Sequence, residues 1–319
     1  MRISRRAIID VGLLILVNIM WAAQYAAYKT ATEGMGPITV SAWTFLFAAL
    51  VLLPFLMRER QRRQGLLHST GSVTPSERSL LRKRNLIGFF VLGVLALMPA
   101  SAFLAWGIDR STASNASLIY LTVPIITAVL ASIILEEKMT LVRWASLFVA
   151  LTGVLILSDV DWRHLQLTNT KFLLGNILVM VACTSSSFYN VYCKELLRRF
   201  TVLEVLVFGY LLAVVVSLPF LVWAEPISWA EVRSYRLSTW LAVLVLSVFS
   251  WGLAMVLWAI LLKRLDVSQA SVSIYLLPFF GVIISVLTLK EKITPTMVVG
   301  GLVTLAGTIL ITSLDPSSS

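Results

Sequence analysis

The side chains with the most scope for chemistry are aromatic and amide residues on an apolar segment near the N-terminus. They follow one another at helical spacing, as Asn18, Trp21, Gln24, Tyr25 and Tyr28. This spacing places all of them on one face of a helix. Polar groups in hydrocarbon need hydrogen-bond partners, so we expect this face to point into a helix bundle or a water-filled cavity. The alternative is an aromatic belt at the membrane interface with ordinary interhelical hydrogen bonds.

Further aromatic and polar residues occur in later apolar segments. Tyr189 and Asn190 follow a run of serines suited to close helix packing, and Trp251 lies two helical turns before Trp258. A tryptophan stripe is equally typical of a lipid-facing anchor. The complete candidate lining of a central cavity is Asn18, Trp21, Gln24, Tyr25, Tyr28, Trp106, Tyr120, Tyr189, Asn190, Trp251 and Tyr275.

Two prolines lie inside apolar segments, each shortly after a tyrosine. Pro124 follows Tyr120, and Pro278 follows Tyr275. Proline removes a backbone donor and frees a carbonyl about four residues earlier, so both positions are candidate hinges. A simple packing kink is the alternative.

Acidic residues and metal ligands are scarce in the apolar segments. Glu137 and Glu291 each lie near a segment end and precede a lysine and a helix-capping threonine, so we expect both to fix a turn and to pair with the adjacent cation. No carboxylate falls at mid-depth, which leaves proton coupling without a candidate residue. His68 and His164 lie in polar connections, and no GxSxG, HExxH or glycine-rich phosphate motif is present. The sequence predicts no metal site, no cofactor and no catalysis.

Composition defines the elements that must position these residues. Of 319 residues, 58% are apolar and 13% are charged, which is too few charges to cover a water-soluble surface of this size. Apolar runs of about 20 residues match a bilayer core about 30 Å thick. The segments are 8–28, 38–57, 86–107, 112–135, 140–158, 172–193, 203–224, 238–262, 267–289 and 295–313.

Positive charge between the segments predicts their orientation. The net charge of +10 arises from Lys and Arg residues in the connections, a distribution that orients a membrane protein and does not indicate a nucleic-acid partner. With the N-terminus inside, the cytoplasmic side holds 18 of the 26 Lys and Arg residues. We therefore expect a multi-pass protein of the plasma (inner) membrane with both termini in the cytoplasm. The connection 58–84 is predicted to be a basic, solvated cytoplasmic loop.

An internal repeat divides the chain into two five-helix halves, 1–158 and 159–319. A shift of 154 residues superposes Ser114–Ser117 on Ser268–Ser271, Pro124 on Pro278, Glu137–Thr140 on Glu291–Thr294, and Gly153 on Gly307. Five crossings is an odd number, so the two halves must enter the membrane from opposite sides. Inverted repeats of this kind are typical of secondary transporters.

Short motifs recur at corresponding places in the two halves. They are Ala116–Pro124 and Ala270–Pro278, Leu135–Thr140 and Leu289–Thr294, together with Trp21–Lys29 in the first helix and Gly300, Gly301 and Gly307 near the C-terminus. With these motifs the chain resembles the EamA-type ten-helix members of the drug/metabolite transporter superfamily over nearly its whole length. The resemblance implies transport of metabolites or drugs, with efflux as the common direction. The chain departs from the family in the length of 58–84 and in Ala22, where glycine is common.

Together the patterns predict an all-α integral membrane protein of ten transmembrane helices in two inverted repeats. An aromatic and amide lining favours a neutral or zwitterionic solute, such as an amino acid or an amphipathic metabolite, carried by alternating access. The expected partners are that solute and the lipid bilayer; the sequence leaves the oligomeric state open. The alternatives are a membrane-embedded transferase, which would need an acidic or histidine cluster, and a channel, which would need a pore-lining ring.

Overall fold

The computed structural model describes residues 5–70, 83–111, 113–157, 167, 169–289 and 294–314. All regular secondary structure in these ranges is helical. In the first half the helices are α1 (Arg5–Thr32), α2 (Pro37–Thr70), α3 (Lys83–Val91, π-helical Leu92–Leu97 and Met98–Asp109), α4 (Ala113–Tyr120 and Val123–Ile134) and α5 (Leu141–Leu157).

The second half continues with the same kinds of element. The helices are α6 (Thr170–Leu197), α7 (Val202–Ala224), α8 (Leu237–Val245, π-helical Leu246–Ala254 and Met255–Arg264), α9 (Val267–Val272, 3₁₀-helical Ser273–Tyr275 and Leu276–Leu289) and α10 (Pro295–Leu314). A short helix, Trp229–Ser234, connects α7 to α8 and was not predicted. The predicted apolar segments are each largely helical, because their length and composition match helices that lie in lipid.

Six helices in the described part of the chain are long and apolar enough to cross a membrane, namely α1, α2, α3, α6, α7 and α8. The apolar stretches of α4, α5, α9 and α10 are shorter. Large apolar side chains cover the outside of the bundle, among them Trp223, which is 78% exposed. An exterior of this kind is suited to lipid and not to water.

The basic segment after residue 57 differs from its prediction. The expected loop is helical up to Thr70, and 71–82 lie outside the described residues. The stretch 58–64 contains neither glycine nor proline, and Arg63 pairs with Glu59 one turn earlier at 2.9 Å. Good helix formers and an i,i+4 ion pair therefore extend α2 beyond its apolar part.

Contacts between helices are approximately symmetric under exchange of the two halves. Helix α3 packs on α6 as α8 packs on α1, and α4 packs on α6 as α9 packs on α1. Helices α2, α4 and α5 pack on their own counterparts α7, α9 and α10. The two π-helical segments start at Leu92 and Leu246, which are equivalent positions of the repeat.

Backbones come closest where α5 crosses α10. A Cβ atom added to Gly153 would lie 2.4 Å from the backbone nitrogen of Thr304, and one added to Gly307 would lie 2.6 Å from that of Ala150. Only glycine fits at these points. Small residues that allow such close approach are characteristic of helix packing in membranes.

Candidate functional site

The centre of the bundle brings α1, α6 and α8 together through three aromatic and amide side chains. The rings of Trp21 and Trp258 are 5.1 Å apart, within the range of favourable aromatic pairs. The indole nitrogen of Trp258 donates a hydrogen bond of 3.1 Å to the Asn190 side-chain oxygen. Trp258 thus connects Trp21 to Asn190, two residues that were predicted to line one cavity.

Asn18 lies one turn before Trp21 and is fully buried. Its amide nitrogen donates to the Leu14 carbonyl at 2.8 Å and to the Ser273 hydroxyl, on α9, at 3.1 Å. Its carbonyl oxygen has no hydrogen-bond partner among the described residues. A buried acceptor left unpaired costs about 1–3 kcal/mol, so Asn18 offers an acceptor that an N–H or O–H donor would satisfy.

Both candidate hinges follow irregular backbone. The two parts of α4 are separated by a turn at Leu121 and Thr122, and Pro124 stands in the first turn of the second part. Pro278 follows the 3₁₀-helical turn of α9. Across the bundle the Tyr275 hydroxyl donates to the Leu121 carbonyl at 2.9 Å. The break in α4 is therefore held by a predicted cavity residue of α9.

Trp251 packs against the main apolar core, which also includes Trp21 and Trp258. It meets the Phe45 ring edge-on at 4.8 Å, and its carbonyl accepts a hydrogen bond from the Tyr210 hydroxyl of α7. Two further predicted lining residues lie in other packing clusters. Trp106 packs 6.0 Å from Phe103 in a cluster formed by α2, α3 and α7, and Tyr28 packs in a cluster with residues of α2 and α8. Among the described residues, no ring–ring contact joins these three aromatic residues to the Trp21–Trp258 pair.

The remaining predicted residues have less defined surroundings. Tyr189 is buried in the main apolar core, and Tyr120 packs partly buried against it. Gln24 is partly buried, and the side chain of Tyr25 lies outside what is described. The two cysteines of α6 are buried free thiols. No group of three or more His, Cys, Asp or Glu residues within the described ranges is arranged to hold a metal ion.

A charged cluster that was not predicted from the sequence lies at one end of the bundle. We define it as Glu137, Arg143, Lys194 and Asp266. The Glu137 carboxylate accepts from the backbone nitrogens of Val267 at 2.7 Å and Ser268 at 3.0 Å, and from the Ser268 hydroxyl at 2.7 Å. It thereby caps the N-terminus of α9, where the helix dipole favours negative charge.

The two cations of the charged cluster connect its two acids. The Lys194 ammonium lies 3.3 Å from both Glu137 and Asp266 and donates to the Leu265 carbonyl at 2.8 Å. Arg143 pairs with Asp266 and lies 3.9 Å from Glu137. The side chains of Arg143 and Glu137 are only 1% and 5% exposed. Two acids and two bases balance in charge, as buried ions require.

An unusual turn after α4 aims Glu137 at α9. Glu136 has a φ of 58°, a left-handed conformation normally taken by glycine, and the Glu137 nitrogen donates back to the Ala131 carbonyl at 3.3 Å. This hydrogen bond joins residues six positions apart, one more than the six-to-one bond of a Schellman C-cap, and closes the end of α4. Next to it the charged cluster borders a cavity of about 220 Å³.

The sequence predicted a local role for Glu137, with Lys138 as its cation. Among the described residues its ion pairs are with Arg143 and Lys194, and the pair with Lys194 connects the two halves of the chain. One signal was available, because Arg143 falls inside an apolar segment, where a cation requires a partner. Glu291, predicted to fix the equivalent turn of the second half, lies outside the described residues.

The long apolar helices, the lipid-compatible exterior and the buried polar contacts define a multi-pass helical membrane protein. The EamA-like transporter family matches the chain over residues 9–159 and 173–313. The chain belongs to that family, as its motifs predicted.

Several relatives match over almost their whole length. A "probable terminal-alkyne amino-acid exporter" of Streptantibioticus cattleyicolor is 25% identical, over 93% of this chain and 91% of the relative. An "uncharacterized transporter" of Archaeoglobus fulgidus is 24% identical, over 94% and 96%. A solved crystal structure with 19% identity covers 96% of both chains with a TM-score of 0.72, which supports the fold. Family and relatives identify the protein as a transporter.

Proposed function

We propose that the protein is a secondary transporter that exports a small organic solute, amino-acid-like or amphipathic, by alternating access. In this proposal α1 to α10 all cross the plasma membrane, both termini lie in the cytoplasm, and residues 1–158 and 159–319 form inverted repeats. Rocking of one repeat against the other would expose a central site to each side in turn.

The symmetric packing of the helices supports the repeat. The main helix–helix contacts of one half have equivalents in the other, and the π-helical segments occupy equivalent positions. The family also matches two separate stretches of the chain. A carrier needs two equivalent arrangements of its halves, and a symmetric interface provides contacts suited to both.

The observation that carries the proposal is the charged cluster. Its members Glu137 and Arg143 belong to the first half, whereas Lys194 and Asp266 belong to the second. Ion pairs between the halves, each with one buried and one partly exposed partner, hold one end of the bundle together. An inward-open state would have to separate them, so the charged cluster has the position and chemistry of a gate on the cytoplasmic side.

The central residues favour a solute that donates a hydrogen bond from an N–H or O–H group. Asn18 presents a buried, unpaired acceptor, and Trp21 and Trp258 provide aromatic surface one turn away. None of these groups is charged, which suits a neutral or zwitterionic solute better than an ion. The name of the Streptantibioticus relative points to the same class of compound.

Counterflow in proteoliposomes tests the function. Vesicles are preloaded with pools of unlabelled amino acids, amines, sugars or nucleosides, and uptake of the matching labelled tracer is followed. A carrier accumulates tracer transiently above equilibrium, whereas a channel only equilibrates it. Absence of accumulation with every pool, from folded and inserted protein, would contradict carrier function for these solute classes.

Substitution of Trp21 tests the site. We expect Trp21→Ala to lower counterflow at least tenfold, because it removes the ring that pairs with Trp258. The matched control is Trp223→Ala, since Trp223 is a tryptophan of α7 on the outer surface of the bundle, 78% exposed. Equal counterflow in both variants and the wild type would show that the Trp21 face is structural.

A further inference from the structure

The outer surface at the end of α2 contains a groove in which charged and apolar side chains meet. It has a volume of about 390 Å³, and its lining is Phe55, Arg58, Glu59, Arg62, Arg63 and Leu203. Leu203 belongs to the first turn of α7, so the groove lies between two helices. It is separate from the central residues and from the charged cluster.

Two arginines of this groove have no ion-pair partner among the described residues. Arg63 pairs with Glu59 at 2.9 Å, which neutralises both. Arg58 and Arg62 stand one helical turn apart, are exposed, and form no ion pair with any other described residue. The groove therefore carries a net positive charge of about two, presented on one helix face.

The groove also has apolar lining. Phe55 lines it and is 55% exposed, and Leu203 of α7 lines it from the other helix. Phe55 belongs to the apolar part of α2, and the basic run starts three residues after it, at the level where acyl chains give way to headgroups.

We propose that this groove binds an anionic phospholipid, with the headgroup phosphate on Arg58 and Arg62 and an acyl chain along Phe55 and Leu203. Paired arginine side chains match phosphate oxygens in geometry and charge. A soluble anion would use the arginines but not the exposed apolar side chains. A zwitterionic lipid would fill the groove, but its cationic headgroup would be repelled by the arginines, which would offset the attraction of its phosphate. Only an anionic lipid satisfies both parts of the surface.

The test measures lipid binding, so its outcome is independent of solute transport. Purified protein in neutral detergent is titrated with phosphatidylglycerol or phosphatidylcholine, and bound lipid is counted by native mass spectrometry. We expect the wild type to bind phosphatidylglycerol more tightly than phosphatidylcholine. The double variant Arg58→Gln/Arg62→Gln should lose this preference, with about 30-fold weaker binding of phosphatidylglycerol, from two cations near the membrane surface.

The matched control removes two arginines elsewhere. Arg233 and Arg236 are exposed in the connection between α7 and α8, and Arg233→Gln/Arg236→Gln makes the same change in net charge. It should bind phosphatidylglycerol as the wild type does. Loss of preference in both double variants would indicate a general charge effect, and preference retained in Arg58→Gln/Arg62→Gln would place the lipid elsewhere; either result overturns the proposal.

A further arm separates the lipid from a soluble phosphate. Glycerol phosphate at millimolar concentration should not displace phosphatidylglycerol, because it lacks the acyl chain. Phe55→Ser should weaken phosphatidylglycerol binding while leaving both arginines in place. Displacement by glycerol phosphate, together with an unchanged Phe55→Ser variant, would identify a soluble-anion site and would overturn the assignment to lipid.

Discussion

Replacement of Lys194 by methionine should open the gate formed by the charged cluster. The change keeps the length of the side chain and removes the ammonium that lies 3.3 Å from both Glu137 and Asp266. Glu137 keeps its three hydrogen bonds to the first turn of α9, so the two halves are still connected. The variant therefore weakens the closed end without dismantling it.

The size of the effect follows from burial. Breaking a fully buried ion pair by removing one partner costs about 3–5 kcal/mol. Lys194 is 16% exposed, and both acids keep Arg143 nearby, so solvent and the second cation reduce the loss. We expect the closed arrangement to lose about 2 kcal/mol, which shifts the ratio of closed to open molecules about 30-fold.

The native thiol next to Lys194 can report this shift. Cys193 is fully buried, so a maleimide added from the side of the charged cluster should label it only when that end opens. We expect Lys194→Met to raise the rate of labelling of Cys193 by about 30-fold, measured in a Cys183→Ser background. The control is Arg199→Met, because Arg199 is exposed and its ion pair within the described part of the chain is with Glu195 on its own helix. Equal labelling rates in the two variants would refute the assignment of a gate.

Two further predictions concern the framework. Gly153→Ala should destabilise the protein by about 1–3 kcal/mol, because its Cβ would lie 2.4 Å from the Thr304 nitrogen, whereas Gly12→Ala, with open space around it, should not. Thermal unfolding in detergent compares the two, and equal midpoints would contradict the close packing. Glu136→Gly should stabilise the protein by about 0.5 kcal/mol. Glycine removes the cost of the left-handed conformation, about 1–2 kcal/mol, but the greater backbone entropy of glycine in the unfolded chain cancels part of this gain. A lower midpoint of unfolding would contradict that reasoning.

Much of the helical framework could be predicted from the sequence, because long apolar runs in lipid leave few other structures. The extension of α2 was missed, since charges and glycine after residue 57 suggested a loop although local propensity favours a helix. The prolines pointed to the irregular places in α4 and α9. The irregular backbone is a turn in α4 and a 3₁₀-helical turn in α9, and this difference depends on the neighbouring helices.

The candidate site could be predicted only in part. Helical spacing placed Asn18 and Trp21 on one face, and both lie at the centre of the bundle. Their partners Ser273 and Trp258 are more than two hundred residues away along the chain, and no local pattern specifies such contacts. The same holds for Glu137, whose sequence neighbour Lys138 suggested a local pair although its closest cation, Lys194, comes from the second half.

The crossing of α5 and α10 has a consequence for how such a bundle can be assembled. Gly153 approaches Thr304 as Gly307 approaches Ala150, and these residues are repeat equivalents of one another. The seam is therefore self-complementary, as in an isologous dimer interface. A surface that fits its own copy requires only one kind of half. In the inverted topology proposed above, two identical five-helix chains inserted in opposite directions could therefore meet along this seam without a covalent link.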